Sequence, residues 1–284
     1  MRYRCNKTNW PLIAGAVIAI VAALGGLGFA AYQSFGKPVP DKFGCYDGVA
    51  GKQIFALIDV SSPGFDADQR RAVRRYFQQA YARLGFGDRI SVFTTEGDQQ
   101  ASVLAPRFHI CGPARRADEL TAIGAKAGPP GYLQKNRAHL FVKRFLPELE
   151  AVFSARSDDE RRARQSPILE MVADLSRRPD VKAGAKITLI SDLVQNSPES
   201  AQFCHVKMDM PPFSLFAQRA VYQERLRPEP LNGIAVDVLQ LVRPGYGPYC
   251  PGGEDEIRRF WIDYFHANGV KNPRVIRIRY GQGG

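Results

Sequence analysis

The chain has 284 residues, 45% hydrophobic and 24% charged, with a formal net charge of +11. This composition excludes a chain too polar to fold, and the length leaves room for one domain of about 230 residues after an N-terminal segment. The positive charge does not point to nucleic acid, because the arginines are spread along the chain and no RNP, zinc-finger or basic-zipper pattern accompanies them.

Arg2, Arg4 and Lys7 precede an apolar run, and no charged residue occurs between Lys7 and Lys37. Residues 11–32 therefore read as a single transmembrane helix, with Trp10 and Tyr32 as interfacial aromatics, 1–10 as a cytoplasmic tail and 33–49 as a linker. A cleaved signal peptide is the alternative, although its apolar region usually covers only about 7 to 15 residues. The small-residue spacing of Gly25, Gly26 and Gly28 would allow a homo-oligomer through this helix. The basic flank places the N-terminus in the cytoplasm, so the expected location is the bacterial inner membrane with a periplasmic domain. Beyond the helix lie four cysteines, Cys45, Cys111, Cys204 and Cys250, an even set that reads as two disulfides in an oxidising compartment. None forms a CxxC pair, so a structural zinc site is not expected.

Within residues 50–284 the first strand is the continuous apolar run Gln53–Val60, as in a buried parallel strand. After the loop at 61–65 a helix follows with Val73, Phe77, Ala80, Tyr81 and Leu84 on one face, opened by Asp66 and Gln69 as a capping pair. Residues 89–95 give a second strand. The short connection to the apolar stretch 101–110 demands antiparallel pairing. Residues 111–164 are less regular, with a helix over 138–153 and a charged, solvated turn from Ser157. Ser166 as N-cap and Pro167 at the first helical position open another helix, and a fourth strand over 186–191 runs into Asp192. A fifth strand over 233–242, a helix over 254–268 stopped by Gly269 and a last strand over 274–280 complete the domain. This alternation predicts an α/β fold with an open, doubly wound, mostly parallel sheet carrying one antiparallel strand, preceded by the transmembrane helix.

The order strand, D-x-S loop, helix, hairpin, helix opened by a hydroxyl residue and strand ending in Asp resembles the von Willebrand factor A (vWA) domain, here closest to membrane-anchored bacterial members. The resemblance implies a metal-ion-dependent adhesion site above the sheet, with Asp59, Ser61, Ser166 and Asp192 as its ligands and Mg²⁺, Mn²⁺ or Ca²⁺ as the ion. The site is degenerate, because Pro63 stands where the motif has its second serine. The same four residues can instead cap backbone N–H groups. The family's strand order also implies the pairings Cys45–Cys111, at the bottom of the sheet, and Cys204–Cys250, at the top.

No G-x-S-x-G, H-E-x-x-H or G-K-[ST] motif occurs, and the four histidines do not supply a base to a nucleophile: His109 lies in a strand, His139 and His266 on helices, and His205 beside a cysteine read as disulfide-bonded. The reading that follows is a protein-binding or scaffold module, without catalysis, whose partner is another envelope protein. The alternative is a metal-dependent hydrolase working through the Asp59 and Asp192 crevice. Long loops at 204–231 and 242–251 are where a partner would dock.

Overall fold

A computed structural model describes residues 10–34, 36–61, 64–95, 103–154, 165–204, 210–242, 250, 253–279 and 281, and within the first helix the side chains of Trp10 and residues 14–27. Pro63, the charged turn from Ser157, His205 and the segment 243–249 lie outside the described residues.

One six-stranded sheet organises the molecule. Its strands are β1 (Gln53–Ile58), β2 (Arg89–Thr94), β3 (Phe108–Cys111), β4 (Lys186–Ser191), β7 (Ala235–Leu241) and β8 (Arg274–Ile278), in the order β3-β2-β1-β4-β7-β8. Only β3 is antiparallel, pairing Ile90 with Ile110 and Ser91 with His109. Two further strands, β5 (Asn196–Ser197) and β6 (Ala201–Gln202), form a small hairpin beyond β4.

Side chains alternate along each strand, so each central strand feeds two cores. Phe55, Leu57, Ile187, Leu189, Val236 and Val238 point to one face, whereas Ala56, Ile58, Ile190, Leu239 and Leu241 point to the other. The first face is covered by α6 (Ile168–Ser176), the short α7 (Phe213–Phe216) and α8 (Gly253–Ala267). Helix α8 buries Ile257, Phe260, Trp261, Tyr264 and Phe265, and it ends before Gly269, whose φ of +94° a residue with a Cβ rarely adopts.

The second face is covered by α2 (Ala67–Arg83), with Val73, Phe77 and Tyr81 buried. Asp66 and Gln69 close a reciprocal capping box, Asp66 Oδ1 accepting from Gln69 N at 2.7 Å and Gln69 Oε1 from Asp66 N at 3.3 Å. Alongside it runs a helical stretch longer than the expected 138–153. Helix α4 (Pro130–Leu140) passes through one π turn, Phe141–Phe145, into α5 (Leu146–Ser154). Pro147 explains the turn: it has no N–H to donate and its ring crowds the carbonyl four residues back, so the ladder shifts there and Leu146 N donates to Phe141 O. The shift sets Phe141 on Tyr81 (5.1 Å) and Phe145 on Phe77 (5.3 Å). A separate short helix, α3 (Ala117–Ala122), lies near the lower edge.

The expected membrane segment is corrected. Residues 10–34 do form a helix, α1 (Trp10–Ser34), but among the described residues no helix is long and apolar enough to cross a membrane. The transmembrane helix therefore drops out of the fold class, and the single-pass inner-membrane placement falls with it. The disulfides remain: Cys45 is bonded to Cys111 and Cys204 to Cys250, each with Cα atoms 5.0 Å apart, the pairs that the resemblance implies. They fit an oxidising compartment.

Candidate functional site

In an open parallel sheet, the crevice for ligands lies beyond the strand carboxyl ends where successive connections diverge, here between β1 and β4. Asp59 directly follows β1 and is held down by its own N–H, which donates to Ile190 O on β4 at 2.9 Å. Its side chain is 2% exposed. Burying a carboxylate is costly unless it is hydrogen-bonded, and Asp59 is bonded throughout. Oδ1 accepts from Ser61 N at 3.0 Å and from Thr95 Oγ1 at 3.3 Å; Oδ2 accepts from Ser166 Oγ at 2.8 Å and from Ser191 Oγ at 2.6 Å. Four segments distant in sequence thus converge on one acid: the loop after β1, the end of β2, the entry to α6 and the end of β4.

Each donor is itself fixed. Thr95 Oγ1 also accepts from Val60 N at 3.0 Å. Ser191 Oγ accepts from Leu193 N at 2.8 Å, and Leu193 sits in the left-handed region, φ 68°, with its carbonyl accepting from Trp261 Nε1 at 2.9 Å. A buried leucine there is strained backbone, held by its surroundings. Ser166 is paired through both backbone groups with Asn196.

This geometry corrects the role expected for Ser166. It is not the N-cap of α6, since the residue before that helix is Pro167 and no side chain of its own caps it. Gln195 supplies the cap from another segment, its Oε1 accepting from Leu169 N at 2.9 Å. Gln195 Nε2 donates in turn to Glu170 at 2.7 Å, and Ser200 Oγ donates to the other Glu170 oxygen. Glu170, 6% exposed, sits in the first turn of α6, where a negative charge suits the helix dipole. Ser166 is thereby released to serve Asp59.

Of the four residues implied as metal ligands, the structure brings Asp59, Ser61 and Ser166 into one network. Asp192 stands next to Ser191 and is 8% exposed; its Oδ1 accepts from Val194 N at 3.0 Å, closing a local turn. Thr95, Ser191, Gln195 and Glu170 were not among the expected site residues. Hydroxyls at strand ends beside an acid are a weak signal, because such residues also cap loops.

The set fits a cation in part. All its donors are oxygens, as a hard ion requires, and Ser61 Oγ has no partner among the described residues. Against this, each oxygen of Asp59 already accepts two hydrogen bonds, leaving the central acid without a free lone pair toward the crevice. Among the described residues, the group of three or more acids, histidines or cysteines with ligand atoms within 4.8 Å of one another lies elsewhere, at Asp41, Cys45 and His109. It is at the lower end of the sheet, where Cys111 pairs with Arg89 at the start of β2.

Another buried acid, Asp237 on β7, is 5% exposed and faces α2. Arg274 Nε and Nη2 donate to it at 3.0 and 2.6 Å, Tyr76 Oη donates at 2.9 Å, and Lys186 forms a further ion pair. Burial pushes its carboxyl up, but the hydrogen bonds from Arg274, Lys186 and Tyr76 outweigh that and hold it below the usual carboxylate value. Burial likewise raises the Tyr76 phenol, so it stays a donor.

No protein-family model matches the chain. No curated protein is found to be a relative of it.

Proposed function

We propose that this chain is a non-catalytic protein-binding module of the vWA kind, which presents the segments beyond β1, β2 and β4 to another protein of an oxidising compartment. The observation that carries the reading is the Asp59 network. A carboxylate with both oxygens filled by four donors is neither a general base nor a nucleophile, but it sets the positions of four loops that form the rim of the crevice. Rigid loops on a sheet are a common support for recognition. The sheet order β3-β2-β1-β4-β7-β8 is the order that the vWA resemblance implies, and it supports the fold side of the reading.

The described histidines also weigh against an acid-base site at Asp59. His109 Nε2 pairs with Asp41 at the lower end, His266 Nδ1 is bonded to Val270 O, and His139 is exposed on α4. A cation at the rim would draw on Ser61, Ser166 and Asp192, the residues that the resemblance implies, and it would strengthen the capture of a carboxylate on the partner.

Chemical crosslinking of the full chain in its own cells, followed by mass spectrometry, is expected to join the rim loops to one dominant protein, and Asp59→Ala to abolish that crosslink. Turnover of a phosphate or carboxylate ester by the purified chain, lost in Asp59→Asn, would sink the reading. Calorimetric titration with Mg²⁺ and Mn²⁺ separates a cation-assisted module, whose heat disappears in Ser61→Ala, from a cation-free one.

A further inference from the structure

We propose that the Cys45–Cys111 disulfide and a zinc ion are alternative occupants of one four-ligand site, made by Cys45, Cys111, His109 and Asp41. His109 and Cys111 are two residues apart on β3, and successive side chains of a strand alternate, so both project from the same face. Over that face lies the turn 41–45. Asp41 N donates to Cys45 O at 2.8 Å and Gly44 N to Asp41 O at 3.0 Å, while Cys111 N reaches Phe43 O at 3.2 Å and ties the turn to the strand. Gly44 has φ +81°, and a Cβ there would stand 2.8 Å from Leu140 Cδ1, so the turn packs closely on α4.

The turn also aims its acid. Asp41 Oδ1 accepts from Phe43 N at 2.8 Å and Cys45 N at 2.9 Å, which leaves Oδ2 to face His109 Nε2 at 3.0 Å. The Phe43 ring packs on the imidazole, 5.1 Å between centroids. Ligand atoms of Asp41, Cys45 and His109 all lie within 4.8 Å of one another, and Cys111 is covalently attached to Cys45. Two thiolates, an imidazole and a carboxylate suit tetrahedral zinc, with Zn–S about 2.3 Å and Zn–N or Zn–O about 2.0 to 2.2 Å. Those lengths put the two sulfurs ~3.8 Å apart on the tetrahedron, carried by Cα atoms that stand 5.0 Å apart in the disulfide form. The sequence hides this set, because its ligands come as D-x3-C and H-x-C pairs and not as CxxC.

The conversion balances. A dithiol reductant passes two electrons to the disulfide and is itself oxidised to a disulfide, and its two protons complete the thiols of Cys45 and Cys111. Zinc then displaces both thiol protons to solvent. In the disulfide form His109 Nε2–H donates to Asp41 Oδ2; on metal binding that proton leaves Nε2 for solvent while Nδ1 carries the ring's proton, so that the Nε2 lone pair ligates and Asp41 Oδ2 exchanges its contact with His109 for the metal.

The test uses the full chain, reduced with a phosphine under anaerobic conditions and freed of it, then titrated with Co²⁺ alone. One equivalent is expected to give the visible bands of tetrahedral cobalt with an intense thiolate-to-metal band, and Zn²⁺ is expected to displace it. Both signals should vanish in Cys45→Ser/Cys111→Ser and persist in Cys204→Ser/Cys250→Ser, while His109→Ala weakens zinc binding by at least about tenfold. An octahedral cobalt spectrum, a signal that survives in Cys45→Ser/Cys111→Ser, or a reduced chain whose lost far-ultraviolet dichroism zinc does not restore would each overturn the proposal.

Discussion

Asp59 carries more of the top face than its size suggests. Removing its carboxylate strips the partner from three hydroxyls and one backbone N–H in a region where water enters poorly. Hydrogen bonds to a charged group contribute about 1.5 to 3 kcal/mol each, though not additively within one network. Asp59→Ala is therefore expected to lower the unfolding free energy by about 3 kcal/mol or more in urea titrations, and Ser61→Ala, which leaves the backbone N–H in place, by less than ~1 kcal/mol. A loss below ~1 kcal/mol for Asp59→Ala would mean that the hydroxyls re-pair freely, and the network could not be what sets the loops. Asp59, Ser61 and Ser166 were legible because strand, loop and helix start follow a recognisable order. Thr95 and Ser191 were not, since a hydroxyl at a strand end acquires its role only when the sheet places it beside the acid. Gln195 was hidden for a similar reason: it caps a helix that begins 27 residues earlier in the chain, at Ile168.

At the scale of elements, apolar pattern located the six strands of the main sheet and the helices α2, α5, α6 and α8, whereas the short elements α3, α7, β5 and β6 carry too few residues for a period to show. The helix expected over 138–153 begins earlier, at Pro130, because a proline at the first helical position has no N–H to lose, and the π turn absorbs Pro147 within it. Strand β3 shrinks to Phe108–Cys111, where four residues pair with β2, although the apolar stretch is longer. The charge on β7 was not legible at all: Asp237 in a run of valines and leucines makes sense only with Arg274, Lys186 and Tyr76 around it. Its carboxyl is depressed in the folded chain, so its contribution to stability is present in full above the unfolded carboxylate value and is lost as pH falls through the lower, folded value. Stability measured from neutral pH downward is expected to stay level until about pH 4 and then fall, more steeply in the wild type than in Asp237→Asn. Parallel curves for the two proteins would show that the ion cluster is not coupled to folding.

Across the whole molecule, the two disulfides tie opposite ends of one sheet. Cys45–Cys111 fastens the turn before β1 to β3 at the lower end, and Cys204–Cys250 joins the segments that follow β4 and β7 at the upper end. Their sequence separations are 66 and 46, and on the loop-entropy account both should stabilise the fold by about 4 kcal/mol, differing by only a few tenths. The contacts around them differ far more than the loop lengths. The turn at Cys45 keeps the bonds of Asp41 to Phe43, Cys45 and His109, and the bond from Cys111 N to Phe43 O, whether or not the sulfurs are joined. Cys204 instead has φ 56°, a left-handed conformation that a cysteine adopts at a cost. Releasing the upper bridge lets that residue relax, so part of the lost cross-link is regained as relieved backbone strain. Cys204→Ser/Cys250→Ser is therefore expected to cost roughly 1 kcal/mol less than Cys45→Ser/Cys111→Ser in chemical unfolding, a larger gap than loop length allows. Equal losses would return the whole effect to chain entropy and leave the conformation of Cys204 without energetic consequence.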